Sequence, residues 1–173
     1  GAKYLEEYSN VSEDEARNYF EKNKNDYKQI RASHILISNY DSNNKEVSDK
    51  KKAENKKTAE EVLKLALDGE DFATLAKEYS DDSSASKGGD LGYFTQDEMV
   101  SAFSKAAFSL KTGEIYNKVV ETSSGYHIIK KTGEKDQNFD DVKDDLIKTL
   151  ESTKQSTLMQ DLYTKYDVQI KNQ

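Results

Sequence analysis

The sequence predicts an α+β protein, in which a small, mostly antiparallel sheet is covered by helices and flanked by two helical arms. Apolar residues recur at helical spacing in both terminal segments, whereas the middle of the chain carries short apolar runs typical of strands. Two of these runs, 115–121 and 126–131, are so close together that they predict an antiparallel hairpin. We therefore expect an N-terminal arm (1–28), a central domain (29–135) with the order β-α-α-loop-β-α-β-β, and a C-terminal arm (136–173).

The N-terminal arm contains one predicted helix, over residues 12–27. Ser12 and Glu15 have the spacing of a capping box, in which each side chain bonds to the backbone N–H of the other residue. Val11 and Ala16 can pack together across the first turn as a hydrophobic staple. Tyr and Phe then recur at helical spacing, so this helix needs an apolar partner.

The C-terminal arm is a long, highly charged helical pattern over 139–166, after which we expect 168–170 to add a strand. Its apolar stripe is narrow, and such a stripe does not hold a helix in place alone. We therefore expect the helix to pack on the N-terminal helix. The stripe consists of six residues, interrupted by threonines: Phe139, Val142, Leu146, Leu150, Leu158 and Leu162.

The central domain begins with a predicted strand at 30–37. Its apolar run is continuous at its end, which is typical of a central strand covered on both faces. A polar loop over 39–49 follows, then a helix over 48–68 with Gly69 where a C-terminal cap belongs. Asp71 can cap a second helix.

A polar loop over 80–90 leads to a short predicted strand at 91–94. Thr95 and Glu98 form a second capping box, which we expect to start a helix. The buried side of that helix would consist of apolar residues at helical spacing: Met99, Phe103 and Ala106 or Ala107.

Composition excludes several classes of protein. Lys and Arg number 26 and Asp and Glu 33, giving a net charge of −7, whereas a general nucleic-acid-binding protein needs a basic face. The absence of cysteine excludes disulfide bonds, thiolate zinc sites and cysteine nucleophiles. No apolar run approaches the ~20 residues of a membrane span. One basic run, interleaved with acids, fits a solvated helix face or a contact with anionic polymers: Lys50, Lys51, Lys52, Lys56 and Lys57.

The two histidines, His34 and His127, both fall on predicted central strands, which favours a shared hydrogen-bonded unit. Two other arrangements stay open at this stage. With Asp82 the pair could form a two-histidine, one-carboxylate metal site, although no local pair of ligands supports it. Ser84 or Ser124 could join His127 and Asp82 as a hydrolase triad, although the sequence lacks the nucleophile-elbow motif.

Four segments of the central domain resemble the parvulin-type peptidyl-prolyl cis/trans isomerases. They are RASHILI at 31–37, YSDDSSASKGGDLG at 79–92, Met99 with Phe103, and GYHII at 125–129, in unbroken order. The arms more loosely resemble the PrsA-type extracellular foldases, in which a parvulin domain is inserted into a helical chaperone domain made from both chain ends. The resemblance therefore implies a parvulin-like fold for the middle and a chaperone-like domain for the arms.

The resemblance also implies a site. Apolar side chains would hold the proline ring, paired histidines would brace the floor of the pocket, and a carboxylate would stand beside the substrate carbonyl or hold its loop. No metal or other cofactor is implied. The implied proline pocket is Leu91, Met99, Phe103 and Phe94, and the implied catalytic group is His34, Asp82, His127, Thr122 and Ser124.

The expected function is isomerisation of X-Pro bonds in unfolded or partly folded secreted polypeptides, at the extracellular face of a bacterial membrane. The resemblance implies a membrane attachment only through a lipid anchor outside this sequence. The loop over 39–49 has one lysine, Lys45, and several acids, so we expect no preference for phosphorylated substrates. Two alternatives stay open: a catalytically weak binding module with this fold, and an interaction protein whose arms form a homodimer.

Overall fold

A computed structural model describes residues 9–171, which divide into two compact units. One unit is residues 28–136, and the other joins 9–27 to 137–171. The part of the N-terminal arm before residue 9 lies outside the described residues. Each unit has a hydrophobic core of its own.

A four-stranded antiparallel sheet forms the centre of the unit over 28–136. Its strands are β1 (Gln29–Ser38), β2 (Asp90–Phe94), β3 (Val120–Thr122) and β4 (Gly125–Lys135), in the spatial order β2-β1-β4-β3. The prediction that the first strand is central is thus confirmed. The small antiparallel sheet with covering helices confirms the predicted α+β class.

The third strand is shorter than the sequence predicts. Only Val120–Thr122 pairs as a strand, while Ile115 forms one isolated bridge with Lys130. The chain bends between these two points, where two polar residues, Asn117 and Lys118, interrupt the apolar run. The predicted antiparallel hairpin with β4 is confirmed by the pairing of residues 122 and 125.

Five α-helices lie in the described part of the chain: α1 (Glu13–Lys22), α2 (Asp49–Leu67), α3 (Phe72–Tyr79), α4 (Ser101–Phe108) and α5 (Phe139–Lys171). Helices α2 and α3 pack on one face of the sheet, and α4 covers the other. The predicted cap at Asp71 is confirmed, because its side chain accepts a hydrogen bond from a backbone N–H of α3. Ser48 caps α2 in the same way. None of the described helices is long and apolar enough to cross a bilayer.

Helix α4 begins later than the sequence predicts, and Met99 lies outside it. The carboxylate of Glu98 accepts from both the N–H and the hydroxyl of Thr95, but this box opens only a single 3₁₀ turn. The hydroxyl of Ser104 donates to the carbonyl of Gln96 (2.7 Å), so a side chain occupies a carbonyl that a continuing helix would need. Met99 is therefore extended, with φ −119° and ψ 161°.

The second unit pairs α1 with the first half of α5, as predicted. Phe20 and Phe139 meet in its core with ring centroids 5.8 Å apart, and Glu15 forms an ion pair with Lys154. The predicted strand at 168–170 is wrong, because α5 continues to Lys171. With 33 residues against 10, α5 is about 50 Å long and α1 about 15 Å, so α1 covers only part of it.

Candidate active site

The two histidines meet on one face of the sheet. His34 on β1 lies opposite Ile129 on β4, and His127 is two residues away along β4, so the pair is a diagonal cross-strand pair. The Nδ1 atoms of the two rings are 3.0 Å apart, and the rings stack with centroids separated by 5.3 Å. Both side chains are buried. The structure therefore brings together two residues that lie 93 positions apart in sequence.

Asp82 reaches this pair from a loop that runs alongside β1. The loop is tied to β1 by backbone bonds from Asp81 N–H to the Leu36 carbonyl (2.7 Å) and from His34 N–H to the Gly89 carbonyl (2.9 Å). Between these two points, Asp82 Oδ2 lies 3.1 Å from Nε2 of His34. The loop thus extends the backbone pairing of β2 with β1 and places the carboxylate of Asp82 beside the imidazole of His34.

Hydrogen bonds connect the site into one chain with a defined direction. An ionised Asp82 can only accept, so His34 donates from Nε2, and a neutral His34 then accepts at Nδ1 from His127. His127 then accepts at Nε2 from the hydroxyl of Thr122, 2.7 Å away. Thr122 in turn accepts from the backbone N–H of Ser124 at 3.2 Å. With both rings neutral, every proton in the chain points toward Asp82.

The pKa values agree with this direction. Burial of Asp82 raises its pKa, but hydrogen bonds from Ser84 and His34 outweigh burial and hold the pKa below its ordinary value. Burial, together with the neighbouring His34, lowers the pKa of His127 to about 4. At neutral pH the site therefore holds a negative carboxylate and a neutral His127.

Apolar side chains stand beside the histidine pair. The ring of Phe103 lies nearly perpendicular to both imidazoles, at 85° to His34 and 77° to His127, with each centroid distance at 5.5 Å. Leu91 and Met99 pack on the same cluster and stay partly exposed, whereas Phe103 is only 3% exposed. Phe94, expected in the pocket wall, is 1% exposed and belongs to the core beneath Phe103. Leu91 and Met99 are thus the wall residues that a ligand can reach.

The hydrolase triad and the metal site, the two alternatives that the sequence left open, are not formed among the described residues. Ser124 is exposed and enters the chain through its backbone N–H, not through its hydroxyl. The hydroxyl of Ser84 donates to Asp82 instead of to His127, so the nucleophile-to-base contact of a hydrolase triad is missing. No group of three His, Cys, Asp or Glu side chains in residues 9–171 converges as a metal site.

Sequence reasoning missed the roles of two residues that hold the site. Ser84 donates to Asp82 from both its hydroxyl and its backbone N–H (3.1 Å for the latter), because Asp82 caps a 3₁₀ turn over Ser83–Lys87. The Asp-x-Ser spacing at a turn start is the signal that could have found it. Gly89 has φ +83°, and a Cβ there would lie 2.3 Å from the carbonyl oxygen of His34. Its close approach to β1 is visible only in three dimensions.

Comparison with known proteins places this site in a family. A model of the PPIC-type PPIase domain matches residues 18–135. The foldase protein PrsA of Bacillus subtilis is 53% identical over 118 residues, which are 68% of this chain and 34% of that protein. The foldase protein PrsA of Caldanaerobacter subterraneus is 39% identical over 165 residues, or 93% of this chain and 48% of that protein. The chain therefore spans less than half the length of these relatives.

The fold agrees with these matches. A crystal structure of the peptidylprolyl isomerase PrsA from Bacillus anthracis is 34% identical, with a TM-score of 0.56, over 91% of this chain and 65% of that one. The expected parvulin-like fold is thus confirmed. The chain belongs to the PPIC-type peptidyl-prolyl isomerase family, and its central unit is a parvulin-type isomerase domain like that of the PrsA foldases.

Proposed function

We propose that this chain catalyses cis/trans isomerisation of X-Pro bonds in unfolded polypeptides, at the site formed by His34, His127 and Asp82. The observation that carries the proposal is the hydrogen-bonded chain from Thr122 to Asp82 beside Phe103. A buried, fully paired polar group next to a partly open apolar wall is an arrangement suited to a reaction without covalent intermediates. The family match and the PrsA relatives support the same activity.

The chemistry requires no nucleophile. Rotation about an X-Pro bond must break amide resonance against a barrier of ~18–20 kcal/mol. In the twisted transition state the carbonyl loses conjugation and needs its hydration less than the planar ground state does. A site that seats the proline ring against Leu91 and Met99, away from water, therefore favours twisting.

Within this mechanism the two histidines hold the pocket wall in position, and Asp82 polarises the substrate amide. The pair is locked from both ends, since Thr122 holds His127 and Asp82 holds His34. This fixes Phe103, whose ring packs nearly perpendicular to both imidazoles. The charge on Asp82, about one-third exposed, disfavours the electron-rich oxygen of the planar amide when that oxygen faces it.

We propose further that the protein acts as a foldase on unfolded, proline-containing secreted polypeptides at the extracellular face of a bacterial membrane. The PrsA relatives support this placement, and the attachment we propose is a lipid anchor outside this sequence. The arms would contribute client binding. We also propose that the arms form a homodimer through the exposed stripe of α5, which consists of Met159, Leu162, Tyr163 and Tyr166 at helical spacing. Light scattering over a range of concentrations tests this; a monomer throughout contradicts it.

The experiment for catalysis is an exchange measurement on an Ala-Pro peptide by NMR, with and without the chain. We expect exchange between cis and trans to accelerate at substoichiometric protein. A His34→Ala variant should lose most of this acceleration, whereas Lys50→Ala, on the exposed face of α2, should retain it. No acceleration by the intact chain, together with retained binding of unfolded protein, would favour a parvulin-fold binding module instead.

A further inference from the structure

A groove lies on the face of the sheet opposite the histidine pair. Its larger cavity, of about 730 Å³, opens between the loop after β1, helix α2 and the end of α3, with Ile37 in its wall. A second cavity of about 450 Å³ adjoins it and shares two wall residues with it, Thr58 and Tyr79. Ile37 and Tyr79 belong to the apolar cluster under α2 and α3, whereas Met99 and Phe103 belong to the cluster under α4. We call the two cavities together the rear groove.

The larger cavity of the rear groove is acidic. Three carboxylates line it: Asp41, Glu78 and Asp81. The one base in its described lining, Lys51, already pairs with Glu54 at 3.8 Å. Asp41 and Asp81 each accept backbone N–H groups at one oxygen and leave the other oxygen open. Because no three carboxylates in residues 9–171 converge as a metal site, an extended organic cation suits this cavity better than a metal ion.

A buried acceptor also opens into the larger cavity. Asn55 on α2 is only 8% exposed, and its Nδ2 donates to the Ser38 carbonyl (3.0 Å) and to Oδ1 of Asn39 (3.1 Å). These two bonds fix the orientation of the amide, and its Oδ1 accepts from no group in residues 9–171. No buried side chain in that range has an unpaired oxygen sealed from solvent, so Oδ1 opens onto the cavity that Asn55 lines. The cavity thus presents a buried oxygen that needs a donor.

The smaller cavity is suited to an apolar side chain. Its apolar wall consists of Val62, Leu65 and Tyr79, all part of or packed on the cluster under α2 and α3. Val62 follows Asn55 two turns later on α2, which separates the two cavities by about 11 Å along the helix. An extended polypeptide covers that distance in about three residues. One segment can therefore place a cation in the larger cavity and an apolar side chain in the smaller one.

We propose that the rear groove binds an extended segment of an unfolded polypeptide, with an arginine or lysine side chain in the larger cavity and an apolar side chain in the smaller one. The cationic group would donate to Asn55 Oδ1 and pair with Glu78 and with the open oxygen of Asp81. None of the residues of the candidate active site lines either cavity. A polypeptide held here can therefore present a distant X-Pro bond to that site.

The test is a ¹H–¹⁵N NMR titration with two end-blocked, proline-free peptides. One is Gly-Arg-Gly-Gly-Leu-Gly, and the other has glutamate in place of arginine. We expect the arginine peptide to move the side-chain NH₂ signals of Asn55 and the amide signals of Tyr79 and Asp81, and to bind about fivefold or more tightly than the glutamate peptide. Unmoved signals at millimolar arginine peptide, or equal binding of the two peptides, would overturn the proposal.

A substitution at Thr58 blocks the groove from within. Thr58 is partly exposed in the wall that the two cavities share, and arginine is a better helix former than threonine, so Thr58→Arg should leave α2 stable. Its guanidinium competes with the cation of the peptide, and we expect affinity for the arginine peptide to fall about tenfold. Thr58→Gln is the matched control, because it fills similar space without charge and should bind more tightly than Thr58→Arg. Equal affinities of these two variants would overturn the proposal.

Two further results distinguish the rear groove from other sites. Calcium chloride alone should leave the Asn55 signals unmoved, and a shift at millimolar Ca²⁺ would overturn the proposal in favour of a metal site. Because both peptides lack proline, the outcome does not depend on the proposed isomerase function. Retained peptide binding without acceleration of X-Pro exchange would refute only that function, whereas an active enzyme whose Asn55 signals ignore the arginine peptide would refute only the rear groove.

Discussion

The Nδ1 atoms of His34 and His127 are 3.0 Å apart, a separation that requires a single proton between the two nitrogens. If both rings were protonated, two N–H groups would face each other and the bond would be lost. The contact therefore depends on at least one neutral imidazole. Because Thr122 and Asp82 extend the same chain at its two ends, the protonation of one ring affects every bond in the site.

This dependence predicts a loss of stability in acid. The pKa of His127 is about 4 in the folded chain, below its ordinary value of 6.5, because the ring is buried beside His34. Between these two pH values the unfolded chain binds the proton and the folded chain does not. The free energy of unfolding should thus fall by up to about 3 kcal/mol as the pH drops from 6.5 to 4, with no further loss from His127 below that.

Urea unfolding at half-unit pH steps measures this change. The control is His127→Asn, which lacks this titrating ring. The slope of its free energy of unfolding against pH should be smaller in the same window, by up to the amount that uptake of one proton contributes. Asp82 acts at lower pH, because its folded pKa lies below its ordinary 3.8, so its contribution is lost only as the pH falls through that lower value. An equal pH slope in the variant and the wild type would contradict the assignment.

The effect of the Asp82 charge can be tested separately from its hydrogen bond to His34. Asp82→Asn keeps an oxygen that can accept from Nε2 of His34 but removes the negative charge. We expect kcat/KM to fall about tenfold at pH 7, since a charge-assisted bond is roughly twice as strong as a neutral one. Activity of Asp82→Asn equal to the wild type would reduce the role of the carboxylate to holding its loop, and Asp82→Ala would then be the variant that loses activity.

The sequence was sufficient to predict those parts of the fold that local patterns determine. The side chains of Ser12 and Asp71 each accept from the backbone N–H that their sequence position predicts, because a cap depends on residues three positions apart. The continuous apolar run of β1 likewise predicted a central strand. These features need no knowledge of distant contacts.

Predictions failed where a particular side-chain contact or the packing of another segment decides the outcome. Met99 left the predicted helix because the hydroxyl of Ser104, five residues on, takes a carbonyl that the helix needed. Phe94 lies in the core beneath Phe103, although the alternation on β2 did not distinguish core from pocket. The approach of Gly89 to β1 depends on the packing of a whole loop, which no short pattern encodes.

The different burial of Met99 and Phe94 predicts different losses. Met99 is partly exposed at the surface of the apolar cluster, so Met99→Ala should lower kcat/KM about tenfold and cost at most about 1 kcal/mol of stability. Phe94 is fully buried, so Phe94→Ala should cost about 3–5 kcal/mol through the cavity it leaves. Kinetics and urea unfolding of both variants measure the contrast. A Met99→Ala variant that loses stability but not kcat/KM would place Met99 in the core alone.

The loop after β1 predicts indifference to phosphorylated substrates. Lys45 is its one basic residue, while Asp41 and Glu46 are acidic, and Glu46 already pairs with Lys52. A phosphoserine before proline adds nearly two negative charges. We expect kcat/KM for a phosphoserine-proline peptide to equal or fall a few-fold below that for serine-proline at low salt, with the difference shrinking at high salt. A higher value for the phosphorylated peptide would contradict this prediction.

Substitutions at two glycines with left-handed backbones can distinguish the cost of a steric clash from the cost of backbone strain. Gly89 and Gly92 have φ of +83° and +71°, but a Cβ at Gly89 would lie 2.3 Å from the carbonyl oxygen of His34, whereas a Cβ at Gly92 meets nothing within 4 Å. Gly92→Ala should therefore cost only the strain of φ, about 1 kcal/mol. Gly89→Ala should cost clearly more, because it pushes the loop away from β1 and breaks the bond from His34 N–H to the Gly89 carbonyl.

The two variants should also differ in activity. Displacement of the loop at Gly89 moves Asp82 away from Nε2 of His34, so the folded fraction of Gly89→Ala should show a lower kcat/KM at pH 7. Gly92→Ala leaves that contact in place and controls for backbone strain. Urea unfolding and the NMR exchange assay measure the two effects separately. If both variants lose the same stability and the same activity, the approach of Gly89 to His34 does not position the carboxylate.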